Sequence, residues 1–76
     1  MFNKKNKKKI YIEGMMCEHC AKKVTTTLQN IPNITKVKVD LKAKYALITY
    51  SDSVDDAIIK EEISKLDYQV LKIEEA

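Results

Sequence analysis

Both cysteines of the chain lie in one tetrapeptide, Cys17-Glu18-His19-Cys20. Thiolates are ligands for soft metals and nucleophiles for disulfide exchange, so this spacing admits three kinds of chemistry. A structural disulfide is poorly served, because so small a loop removes little unfolded-state entropy and secreted scaffolds of this size carry about 4–8 cysteines. A dithiol redox pair is the second reading. Against it, the chain has no Trp beside the motif, and its one proline, Pro32, falls well after it. The third reading is a metal. Structural zinc takes four ligands, and beyond these cysteines only His19 has a favoured zinc donor. A monovalent d¹⁰ ion such as Cu(I) is content with two sulfurs, and its open coordination lets an incoming thiolate displace a resident one. The residues therefore suit transfer of Cu(I) better than storage of zinc. Mercury or zinc binding and dithiol redox chemistry remain the alternatives.

The elements around the motif decide how the thiols are presented. Lys9-Ile10-Tyr11-Ile12-Glu13 alternates as a strand with Ile10 and Ile12 inward, and the single glycine, Gly14, ends it. From Cys17 to Ile31, the apolar Ala21, Val24, Leu28 and Ile31 recur at helical spacing, which puts the cysteines at a helix N-terminus, where backbone N–H groups favour thiolates. Residues 34–41 and 45–50 alternate as two strands joined by a short turn. Ser53 and Asp56 resemble a capping box ahead of a second helix whose buried stripe is Ile59, Ile63 and Leu66. A last strand spans about 68–74, but apolar residues at 70, 71 and 73 break its alternation and leave its phase open. The order β-α-β-β-α-β predicts an α+β, ferredoxin-like sandwich, with two helices on one face of a four-stranded antiparallel sheet.

Length and charge narrow the function classes. At 76 residues the chain is expected to be one domain, excluding a two-domain enzyme, a transmembrane transporter or a repeat array, and leaving little volume for an enclosed pocket. The expectation is a surface site and no enzyme. Five of the fourteen lysines, Lys4, Lys5, Lys7, Lys8 and Lys9, lie in the first nine residues. The other 67 residues hold nine lysines against eleven acids, so a +5 segment joins a −2 body. Residues 1–9 are accordingly read as a basic, mobile segment and 10–75 as the domain. No apolar stretch approaches a membrane span or a signal-peptide core, so the expectation is a cytoplasmic protein without membrane insertion. A ferredoxin-like sheet also serves RNA recognition, but the aromatic and glycine pattern of that use is missing, so no nucleic-acid partner is expected.

Gly14-Met15-Met16-Cys17-Glu18-His19-Cys20 resembles the Gly-Met-x-Cys-x-x-Cys signature of the heavy-metal-associated domain family, and the element order over residues 8–75 is similar to that family's fold. The resemblance implies a bacterial-type Cu(I) chaperone passing copper, through a transient contact, to the metal-binding domain of a copper-transporting P-type ATPase. It implies Cys17 and Cys20 as ligands, Met15 as a core residue beneath the loop, Gly14 as a loop-shaping residue, and Tyr68 as the aromatic beside the site. Met16 stands where the family usually has Ser, Thr or Asp, and Asp67 where it often has Gly. Met16 is a further candidate ligand, with a solvent-facing position its ordinary role. His19 is another, chiefly in a copper-bridged homodimer. Lys22 and Lys23 are candidates for steering an acidic partner.

Overall fold

The computed structural model describes residues 6–76. Its elements are β1 (Asn6–Glu13), α1 (Glu18–Gln29), β2 (Ile34–Asp40), β3 (Tyr45–Tyr50), α2 (Asp56–Ser64) and β4 (Gln69–Glu75). The strands form one antiparallel sheet in the order β2-β3-β1-β4, so β1 and β3 are central. The expected βαββαβ sandwich is the observed fold. Ile10 and Ile12 of β1 and Ala46 and Ile48 of β3 are fully buried against Val24 and Leu28 of α1 and Ile59 and Ile63 of α2. Ile31 lies beyond the end of α1, yet it is still 95% buried (5% exposed) and joins the same core.

Two sequence expectations need correction. β1 begins at Asn6, so Lys7, Lys8 and Lys9 belong to the sheet and not to a segment outside it; Lys4 and Lys5 lie outside the described residues. Strand pairing extends because Lys8 falls on the same face as Ile10 and Ile12, where its ammonium meets a partner. Lys8 Nζ is 2.7 Å from Asp56 Oδ1 in the first turn of α2 and lies 5.3 Å from the centroid of Tyr50. Because Asp56 is taken up by Lys8, it does not complete a capping box with Ser53. The N-cap is Asp55, whose carboxylate accepts the backbone N–H of Ala57 at 2.9 Å.

The unresolved phase of β4 has a geometric cause. Ile10 pairs with Ile73 and Tyr11 with Lys72, but Ile12 pairs with Val70, leaving Leu71 as an extra residue. This β-bulge lets Val70 and Ile73 both pack on the core despite their odd spacing, while Leu71 is 58% exposed.

Candidate metal site

The cysteine loop joins the buried centre of the sheet to the start of α1. Gly14 leaves β1 with φ +101°, a left-handed conformation that side chains resist. Met15 then turns inward, 2% exposed, and anchors the loop to the core, as the resemblance implied. Met16 turns outward, 86% exposed. Cys17 is the N-cap of α1: its backbone is extended and its carbonyl accepts the N–H of Ala21 at 3.0 Å. Its side chain makes no capping hydrogen bond, so the positive end of the helix is left to the thiols themselves. Cys20, one turn further, is half-buried, and the two sulfurs are 3.7 Å apart. Both cysteines are free. That separation is well beyond a disulfide bond of about 2.05 Å and close enough for one ion to touch both.

Tyr68 completes the loop's surroundings. It is partly buried against the core, just ahead of β4. A Cβ on Gly14 would stand 3.1 Å from Tyr68 Cδ1, so the ring lies over a gap that glycine leaves open. The hydrogen bond from Tyr68 is the main reason the Cys20 thiol is lowered to about 7, with a backbone hydrogen bond from Met16 next. The same bond, followed by burial, pushes the Tyr68 hydroxyl up to about 12. The pair therefore has a fixed sense across neutral pH: the tyrosine keeps its proton and donates, and Cys20 is readily a thiolate. Among the described residues, no three His, Cys, Asp or Glu side chains converge as a ligand set. The chemistry on offer is that of two free sulfurs, one exposed and one half-buried and readily ionised.

The heavy-metal-associated domain model matches residues 9–69, most of the chain and the whole loop. The chain belongs to this family. Within it, the copper chaperone CopZ of Enterococcus hirae is 31% identical over 64 residues, covering 83% of this chain and 93% of its own. A solved CopZ metallochaperone is 32% identical, with a TM-score of 0.80 over 86% of this chain and 98% of that one. A copper binding domain from HMA7, a P-type ATPase, is 26% identical, with a TM-score of 0.77 over 93% of each chain.

In this heavy-metal-associated domain the remaining candidates are spread around the loop. His19 is exposed on the first turn of α1 and lines a shallow groove with Lys22, Lys23, Thr26, Thr27 and Leu66. Asp67, in the position often held by Gly, takes φ +68° and closes α2, its N–H donating to the Ser64 carbonyl at 3.0 Å. The loop ahead of Tyr68 thus keeps a left-handed turn with a residue that tolerates one. Leu71 was not singled out by the sequence. It lines a groove with Gly14, Met15 and Met16, and its signal was the break in alternation that marks the bulge.

Proposed function

We propose that the protein is a cytoplasmic copper chaperone that holds Cu(I) between Cys17 and Cys20 and passes it to a CxxC-bearing metal-binding domain of a copper-transporting P-type ATPase. The observation that carries this reading is the pair of free sulfurs, one exposed and one half-buried, 3.7 Å apart at the N-terminus of α1, in a chain similar to CopZ chaperones. Two sulfurs satisfy a soft monovalent ion and leave it accessible. Transfer is ligand exchange without redox change: a partner thiolate adds to the ion, one of the two resident sulfurs leaves, and a second exchange releases the other. Copper is the cargo and the protein's residues do the rest. The helix end and Tyr68 favour the thiolate form, Gly14 and Met15 set the loop, and no lid need open. The likeness of the fold to an ATPase copper binding domain supports a partner of similar build.

A competitive Cu(I) titration under strong reductant tests this. One equivalent should bind tightly to the native chain, and Cys17→Ser with Cys20→Ser should abolish that binding. Retained stoichiometric affinity in the double variant would overturn the reading, and turnover of a disulfide substrate by the metal-free protein would replace it with a dithiol redox role.

A further inference from the structure

The helices cover one face of the sheet, and the opposite face carries a concentration of lysines that copper chemistry does not use. Lys7 stands beside Thr49, and Thr49 beside Lys36; Lys9 stands beside Leu47, and Leu47 beside Lys38. With strands about 4.8 Å apart and alternate residues about 6.8 Å apart, these four lysines mark a rectangle of roughly 10 by 7 Å. Neighbours along each strand lie within one Debye length at physiological salt, about 8 Å, so their charges reinforce one another. Lys72 lies on the same face of the sheet, in β4. Three acids share this face: Glu74 stands beside Lys9 and pairs with Lys72 at 3.0 Å, Glu13 ends β1 on the same side, and Asp40, which accepts the backbone N–H of Ala43 at 3.0 Å, ends β2, so the positive charge is concentrated over Lys7, Lys36 and Lys38. Lys7, Lys36 and Lys38 border a groove of about 360 Å³ floored by Leu47 and Thr49.

We propose that this open sheet face docks the protein, reversibly and without insertion, on an anionic lipid surface. A flat field of lysines is the chemistry that anionic headgroups attract. Two features favour a lipid surface over other polyanions. Base stacking needs free aromatic faces, whereas Tyr11 and Tyr45 meet edge to face at 5.6 Å and carry Lys72 and Lys9 at 4.9 and 5.1 Å from their ring centroids. A protein interface centres on apolar anchors, and the large exposed apolar residues, Met16, Ile58 and Leu71, stand outside the four-lysine rectangle. The inference extends the chaperone reading and rests on it for its purpose. The cysteine loop follows the far end of β1, about 15 to 20 Å from Lys9 and Lys7, so a docked molecule keeps its thiols free to meet a membrane transporter.

The test is sedimentation of the full chain with vesicles of phosphatidylcholine alone and of phosphatidylcholine with phosphatidylglycerol at about 2:1. Binding is expected only to the anionic vesicles and should be lost on raising the salt. At about five-fold per lysine, Lys7→Gln with Lys36→Gln and Lys38→Gln should weaken it about a hundred-fold. Lys22→Gln with Lys23→Gln, on the helical layer, should leave it unchanged. Equal partition to both vesicle types, or equal loss in both sets of variants, would overturn the proposal. So would tighter binding of a single-stranded RNA with the same lysine dependence, which would assign the face to nucleic acid. Cu(I) titration of the same variants is a separate readout: loss of copper binding there bears on the chaperone reading, and loss of vesicle binding alone bears on this one.

Discussion

Cys17 and Cys20 are alike in the sequence and different in the fold. Cys17 caps the helix and faces solvent, whereas Cys20 is half-buried and Tyr68 is the leading cause of its lowered pKa. Metal must displace any proton the thiol holds, so a Cys20 lowered to about 7 costs Cu(I) affinity only as the pH falls below that value. Tyr68→Phe removes the leading cause of the shift and should move the Cys20 titration upward, toward the usual cysteine range. Ultraviolet thiolate absorbance against pH reads this directly, and an unchanged titration would remove Tyr68 from the site. The cysteines were legible from spacing and residue type, and the buried Met15 from the family resemblance. The contact between Gly14 and Tyr68 was not, because it joins residues 54 positions apart whose approach depends on the whole sheet.

At the level of elements, two left-handed residues frame the site and pull in opposite directions. Gly14 at φ +101° uses the freedom of glycine and also gives up the space a Cβ would take from Tyr68. Gly14→Ala should therefore cost about 1–3 kcal/mol. Asp67 at φ +68° carries a side chain where glycine would be unstrained, and Asp67→Gly should gain about 0.5 kcal/mol after the greater entropy of the unfolded chain is counted. Urea midpoints of the two variants should move apart on either side of the parent; a shift in the same direction would refute the account. Periodicity placed six elements in order, and Tyr45–Tyr50 matched its predicted bounds. It failed at the start of β1, where a run of lysines reads as solvated unless the carboxylate waiting across the layer is known. The same blindness assigned the cap of α2 to Ser53 in place of Asp55.

Across the molecule, Lys8 ties the sheet to α2. Its side chain is 11% exposed against 49% for Asp56, so the pair is only half withdrawn from water and its contribution is correspondingly discounted. Burial pulls the Lys8 ammonium down, but the hydrogen bond and charge of Asp56 outweigh it and hold the pKa above its usual value. A raised lysine contributes stability that is fully present below its unfolded pKa, about 10.4, and is lost as the pH rises through the folded value. Lys8→Ala should lower stability by about 1 kcal/mol at neutral pH, or about 4–8 °C in Tm. It should also remove that part of the alkaline loss which the parent shows. A variant as stable as the parent at pH 7 would make the pair incidental. The division of charge into a basic segment and an acidic body therefore needs redrawing. Three of the five leading lysines belong to the sheet, one of them inside the sandwich and two on its open face.

The bulge at Leu71 also acts as a parity bit. Strand residues alternate sides, so one surplus residue reverses the sense of everything on its far side. Counted back from Ile73 in strict alternation, Tyr68 would point away from the helical layer; counted through the bulge, it points inward with Val70. The bulge thus sets which way the tyrosine faces: pairing that absorbed Leu71 into regular alternation would turn Tyr68 away from Cys20 without altering either residue, whereas deleting Leu71 would remove the bulge and leave Tyr68 inward. A change of length in β4 is therefore felt at the thiols by whether the strand takes it up as a bulge or in its alternation, more than by which side chain it brings.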